Sequence, residues 1–238
     1  GASLGAVIAI ALGFTSLGMF YMPAFAFVGA FISVGITILL TLRNNKLDTT
    51  TLLLAGVAVS MLLGAFTSGI LTMINEYRLR EFLFWMVGGL DFRRWDHVLL
   101  AVGPIMTGSV ILMMLGRHLN VLVLGDTEAR ALGVPVMVYR MLFLFLSSVI
   151  TATAVCVSGS IGFVGLVVPH IVRLLVGPDH RILLPMAAIG GALFLVFCDT
   201  LGRVVAQPVE IRVGIMTALL GAPYFLYLLH RLRSKGGA

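Results

Sequence analysis

Few side chains in this sequence can do chemistry, and their spacing excludes most of it. The five histidines (His97, His118, His170, His180 and His230) form no H-x-x-x-H pair, so no helix would present two of them to a catalytic metal. Neither Lys46 nor Lys235, the two lysines, lies in G-x-x-x-x-G-K-[ST], so if ATP is used another chain must bind it. No triad and no paired-carboxylate arrangement is visible. Cys156 and Cys198 both sit inside apolar runs and read as buried thiols, with nothing to support a disulfide or a metal site. The chain is therefore expected to catalyse no covalent step and to bind no metal or cofactor of its own.

Three polar features remain. The first is the segment 124–134, Leu-Gly-Asp-Thr-Glu-Ala-Arg-Ala-Leu-Gly-Val, set between two long apolar runs. It reads as a short helix with Asp126 as N-cap, Glu128 in the first turn where the dipole favours an anion, and Gly133 as the stop. About two turns are marginal in water alone, so this helix needs support. Ala129 and Leu132, three apart, would share a small apolar patch ringed by Asp126, Glu128 and Arg130. That pattern fits an ordinary interfacial loop or a docking element for another protein. The second feature is Asp199 and Arg203, one turn apart at the end of an apolar run and able to pair across it. The third is His170, which follows Pro169 in a shorter apolar stretch and reads as a hydrogen-bonded structural histidine.

The elements that must position these residues are membrane spans. The sequence has 238 residues, 60% hydrophobic and 11% charged, with a mean hydropathy of +1.10, whereas a soluble domain carries roughly 25% charged residues. Its net charge of +6 belongs to membrane topology rather than to nucleic-acid binding. With about 20 apolar residues needed per crossing, spans are expected at about 20–42, 51–73, 98–116, 138–157, 182–199 and 211–230. The opening run 1–13 reads as the remaining part of a span whose start is missing. The short run 162–176 is a crossing or a re-entrant segment.

Basic residues decide between those two. If 162–176 crosses, Arg43, Lys46, Arg117, Arg130, Arg140, Arg173, Arg181, Arg231, Arg233 and Lys235 share one side. Arg78, Arg80, Arg93, Arg94, Arg203 and Arg212 share the other. That is ten against six of the sixteen Lys and Arg, with the richer side cytoplasmic. The 124–134 helix and the C-terminus are then cytoplasmic.

The apolar runs are rich in small residues, with 27 glycines in all, and prolines recur within or at the ends of spans (Pro23, Pro104, Pro169, Pro185, Pro223). A tightly packed, kinked bundle suits a transporter better than an anchor. The runner-up is an ion-coupled secondary carrier, which would bury an Asp, Glu or His near mid-membrane; no charged residue sits in the middle of the six long runs, which counts against it. A non-transporting scaffold is a third reading.

Read together, several stretches resemble one family. They are Gly1-Ala2-Ser3-Leu4-Gly5-Ala6, 52–60 (Leu-Leu-Leu-Ala-Gly-Val-Ala-Val-Ser), Phe84-Trp85-Met86-Val87-Gly88-Gly89-Leu90, and the 124–134 segment. They continue with 162–173 (Gly-Phe-Val-Gly-Leu-Val-Val-Pro-His-Ile-Val-Arg), Gly177-Pro178-Asp179-His180-Arg181, and 213–223 (Val-Gly-Ile-Met-Thr-Ala-Leu-Leu-Gly-Ala-Pro). In this order they resemble the FecCD-type permease subunits of ABC importers for iron-siderophores, haem and vitamin B12.

The resemblance implies an all-α polytopic bundle of the type II importer fold. About eight of the family's ten spans would be present, as one transmembrane domain over 1–238 in a bacterial or archaeal cytoplasmic membrane. It implies a second permease subunit, two ATPase subunits holding ATP and Mg, and a periplasmic or lipid-anchored substrate-binding protein. The coupling contact to the ATPase would fall on Gly125, Asp126, Glu128, Ala129, Arg130, Leu132 and Gly133. Arg203 resembles an arginine that meets acidic residues of the binding protein, with Arg93 and Arg94 as further candidates. Gly162, Phe163, Gly165, Pro169 and His170 are assigned to the short helix of the translocation pathway.

Overall fold

In hydrocarbon every backbone polar group must find its partner within the protein, so a chain this apolar threads a membrane as helices. The computed structural model describes residues 1–18, 20–42, 49–91, 93–205 and 207–235. Among them are eleven α-helices: α1 (Ala2–Ala11), α2 (Tyr21–Thr41), α3 (Thr49–Leu71), α4 (Glu76–Val87), α5 (Trp95–Met114), α6 (Gly116–Val123), α7 (Asp126–Ala131), α8 (Val136–Ser158), α9 (Val164–Val176), α10 (His180–Val205) and α11 (Val213–Lys235). Five of them, α2, α3, α5, α8 and α10, are long and apolar enough to cross a membrane; α1, α9 and Val213–Leu228 of α11 are shorter and apolar. All eight coincide with the apolar runs of the sequence. Arg43 and Lys46, used in the charge count, lie outside the described residues.

α1 sits in the middle of the first half, packed on α2, α3, α4 and α8. It can sit there because it is nearly without side chains on one face. A methyl group on Gly1 or Gly5 would run into the backbone of Gly29 or Phe25 in α2, so the two helices cross backbone to backbone. Ala6, Val7, Ile10 and Ala26 then form a core with Phe82 and Trp85, the apolar side chains that α4 drives into the bundle. The second half packs α9 on α10 through Val168, Val172 and Leu183, and α10 touches α5, α6 and α11.

Contacts between distant loops fix which ends lie together. Arg78 Nη1 donates to the Ala11 carbonyl (2.7 Å), Gly89 N–H donates to the Ser158 carbonyl (2.8 Å), and Ile211 N–H donates to that of Gly202 (3.0 Å). At the opposite end Asn120 holds Asp179 and His180, and Arg140 holds Asp126. The 159–179 stretch thus starts at one end and finishes at the other, so it crosses. Thirteen residues of α9 cover only about 20 Å at 1.5 Å per residue, and the non-helical residues 159–163 supply the rest of the crossing.

The α1–α2 contact yields a contrast. Gly5→Ala should lower the midpoint of thermal unfolding in detergent, overpacking at a fixed backbone costing about 1–3 kcal/mol. Gly35→Ala, where a Cβ would meet nothing within 4 Å, should leave the midpoint unchanged or raise it, since Ala favours a helix by about 1 kcal/mol over Gly. Equal midpoints for the two variants would show that this crossing does not hold α1 in place.

Candidate functional site

The 124–134 segment folds as the sequence pattern predicts, with two corrections. Gly125, at φ +119°, occupies the N-cap position, and its carbonyl accepts from Ala129 N–H (3.0 Å). Asp126 is therefore the first helical residue, not the cap. Its carboxylate is drawn to Arg140 of α8, which donates from Nη2 to Oδ1 (2.6 Å) and from Nη1 to Oδ2 (3.4 Å). This two-pronged contact is the support that a helix of six residues needs. Gly133, at φ +76°, ends the helix. Val134 N–H bonds the Ala129 carbonyl (3.0 Å) and Gly133 N–H that of Arg130 (2.9 Å), which is the Schellman closure.

The second correction concerns the apolar patch. Ala129 is fully buried, on the side that packs against α6 and α8, whereas Leu132 is 63% exposed. Ala129 is thus a packing residue, and the exposed surface consists of Leu132 with Glu128 and Arg130 beside it and Val123 and Leu124 just before the helix.

A second clamp at this end escaped the sequence reading. Asn120 of α6 donates from Nδ2 to Asp179 Oδ1 (2.7 Å), and its Oδ1 accepts from His180 N–H (2.9 Å). Asp179 Oδ1 also accepts from Arg181 N–H (2.9 Å). The Arg181 N–H and the Asn120 amide hold the Asp179 carboxyl below its ordinary value. Asp179 stands in one of the recognised sequence stretches, but nothing in sequence pairs it with Asn120, 59 residues away.

At the other end Arg203 is not a free cation. Its Nε lies 2.8 Å from Asp199 Oδ2, as the one-turn spacing implies. Nη2 lies 3.1 Å from Asp91 Oδ1 and Nη1 lies 3.9 Å from Glu210 Oε2. One guanidinium thus ties α10 to the loop before α5 and to the loop before α11. Nearby, Arg212 donates from Nη1 to the Phe84 carbonyl (2.6 Å) and stacks over that ring at 4.5 Å. Arg93 is exposed and reaches the Gly89 carbonyl at 3.5 Å. Arg94, its side chain 74% exposed and 3.8 Å from Asp96, is the least engaged of the three arginines read as docking residues.

The short-helix residues come together at the start of α9. Phe163 sits at its N-cap with φ +65°, a conformation a bulky residue holds only when its surroundings impose it. Gly221 of α11 makes room for it, since any side chain there would collide with Phe163 Cβ. Gly162 and Gly165 are exposed, and Pro169 lies inside the helix. His170 departs from the hydrogen-bonded reading. Its Nε2 is buried without a hydrogen-bond partner, and its ring lies 6.3 Å from that of Tyr224. Cys156 and Cys198 are buried free thiols. Among the described residues, no three His, Cys, Asp or Glu side chains converge as a metal site.

A bundle of helices long and apolar enough to cross a membrane, clamped by polar pairs at both ends, defines an integral membrane protein. The chain belongs to the FecCD transport family, whose model matches residues 1–231. It is 46% identical over 230 residues to the cobalamin import system permease protein BtuC of Halobacterium salinarum, an alignment covering 96% of this chain and 61% of that protein. It is also 46% identical over 212 residues to the hemin transport system permease protein HmuU of Yersinia pestis, covering 87% of this chain and 63% of that one. The chain thus spans less than two thirds of the length of these two relatives. Among solved structures it matches an ABC transporter assigned to the metal-chelate type in an inward-facing conformation, with a TM-score of 0.90 at 33% identity, covering 97% of this chain and 73% of that one.

Arg203→Gln should loosen the loop before α11, so that hydrogen exchange at the Ile211 amide speeds up. Arg94→Gln should leave that amide unchanged, and equal exchange in the two variants would remove the clamp reading. For Asp179, a depressed folded pKa means a contribution fully present above the ordinary value of 3.8 and lost as pH falls through the folded value. The gap in unfolding midpoint between wild type and Asp179→Asn should be open at pH 7 and close in acid. A gap independent of pH would show that the carboxylate charge plays no part.

Proposed function

We propose that this chain is the membrane-spanning permease subunit of an ATP-driven importer of metal chelates, cobalamin, haem or ferric siderophore. In this reading it works as one transmembrane domain paired with a second permease subunit. ATP and Mg belong to two separate ATPase subunits, and a periplasmic or lipid-anchored binding protein delivers the chelate. The α7 end and the C-terminus face the cytoplasm of a bacterial or archaeal cell.

The observation that carries the proposal is α7 itself. It is a short, rigidly terminated helix, held by Arg140, that presents an exposed leucine among charges at the end of a bundle. Such a projection suits a cleft on a partner, and Arg140 connects it to α8, a helix of 23 residues. Transport is then a population shift between two bundle arrangements, biased by ATP binding and hydrolysis in the partner and delivered through α7. The substrate class is supported by the relatives' names, and choice among chelates rests with the binding protein.

Leu132→Asp tests this reading. A carboxylate buried without a partner costs several kcal/mol after relaxation, enough to disrupt a contact of this size, whereas at a free surface it turns to water at little cost. In the intact permease the variant should insert and fold normally but fail to retain the ATPase on co-purification, or lose substrate-stimulated ATP hydrolysis. Normal retention together with normal stimulation would remove α7 as the coupling element.

A further inference from the structure

The groove where α5, α6 and α10 meet, at the α7 end, has no role in the transport reading. It encloses about 410 Å³ and is lined by Met113, Met114, Arg117, Asp179, Arg181 and Ile182. Gly116 creates it. A Cβ there would lie 3.3 Å from the backbone of Arg181, so α6 begins directly against the start of α10 and brings Arg117 and Arg181 to one rim. Neither guanidinium has an ion-pair or hydrogen-bond partner among the described residues. The one carboxylate in the groove, Asp179, already has Oδ1 engaged by Asn120 and by the Arg181 N–H.

Below this basic rim the wall is apolar and open. Met114 is 76% exposed and Ile182 50%. One turn deeper the same faces continue as the exposed Ile111 and Met186, on helices long and apolar enough to cross a membrane. The groove therefore joins two guanidinium groups that make no close ion pair, Arg181 feeling the Asp179 charge only at a distance, to an apolar track that runs along helices able to cross a membrane.

We propose that it binds the phosphate headgroup of an anionic phospholipid, with Arg117 and Arg181 on the phosphate and an acyl chain along the Met114–Ile111 and Ile182–Met186 faces. Guanidinium suits this task because its planar donors match phosphate oxygens two at a time and it sheds water more readily than an ammonium. Basic pockets at helix ends recognise lipid headgroups in this way. An acidic segment of a partner protein would satisfy the arginines but would leave the apolar track, directed into the membrane, without an occupant. The proposal depends on the chain spanning a membrane and is independent of what it transports.

The test uses the intact permease in a neutral detergent, with dioleoyl phosphatidylglycerol, dioleoyl phosphatidylcholine and inorganic phosphate as probes. The readout is the probe concentration giving half-maximal thermal stabilisation. Phosphatidylglycerol should act at roughly tenfold lower concentration than phosphatidylcholine, and the difference should shrink as salt rises from about 0.05 to about 0.5 M. Arg117→Gln with Arg181→Gln should abolish the preference, and Arg117→Lys with Arg181→Lys should restore part of it. A preference that survives the double glutamine variant overturns the proposal, as does a wild-type preference that ignores salt, a result that needs no variant to fold. Inorganic phosphate stabilising as well as phosphatidylglycerol would make this a free-anion site and end the lipid assignment. Loss of the co-purifying ATPase in the glutamine variant with lipid preference intact would give the arginines to a protein partner, and that too overturns it.

Discussion

Backbone touching backbone at glycine is the contact on which this bundle depends. In a membrane the lipid tails are as apolar as leucine, so helices gain little by hiding apolar side chains from them and are held by close approach and hydrogen bonds. At the Arg203 end, Gly214 of α11 rests on the carbonyl of Val87. Gly159, just after α8, rests on that of Trp85, and Gly88 rests on that of Ser160. Gly202 of α10 meets Ile211 in the same way. A methyl at any of these positions would collide with main chain, which has nowhere to turn. The Gly89–Ser158 and Ile211–Gly202 hydrogen bonds are possible only at this separation. So is the arrangement that lets one arginine reach carboxylates from three segments.

The two ends of the molecule are joined by helices that take part in both. Arg140, which grips α7, lies near the start of α8, and Gly159, part of the glycine junction, follows its last residue. α10 runs from the Asn120 clamp to Arg203 in the same fashion. A change at α7 therefore acts on an element whose far end cannot shift without disturbing backbone contacts. This arrangement favours two discrete packings over continuous deformation, and it is the physical basis for the proposed transport cycle.

Most of the fold was legible because membrane spans advertise themselves by length and hydropathy alone. The 162–176 run was ambiguous by length, yet the arginine distribution favoured a crossing, and the contacts of Gly159 and Asp179 bear that out. α4 was recognised as a sequence stretch rather than as a helix. Its arginines and glutamates mask the apolar side, and Phe82 and Trp85 reveal their inward role only once α1 is in place. Gly133 as the stop of α7 is readable because positive φ selects for glycine, whereas Gly125 at the N-cap is not, since the sequence offers Asp126 as the better cap. What α7 buries was not legible either, because three-residue spacing says which residues share a face and not which way it points. Hence Ala129 turned inward while Leu132 stayed out. Arg203 was missed in part for a related reason. Its i, i+4 neighbour is written in the sequence, but Asp91, 112 residues away, is not.

Exposure alone does not mark a functional leucine in this molecule. Leu53, Leu99 and Leu193 are each about as exposed as Leu132 or more so, and lipid is sufficient cover for them on their spans. Leu132 differs in its neighbours. Asp126, Glu128 and Arg130 lie within six residues of it, and a charged side chain costs about 2.5–3.5 kcal/mol at the centre of a membrane on insertion scales. The helix carrying them cannot sink into hydrocarbon to hide one leucine. Nor can it withdraw into the bundle, since Ala129 and the Arg140 contact fix its buried side and the Schellman closure fixes its end. Leu132, exposed among these charges, is thus held where lipid tails are a poor cover for it. A rigid apolar surface in a charged rim is what a protein partner can cover at little cost in conformational entropy.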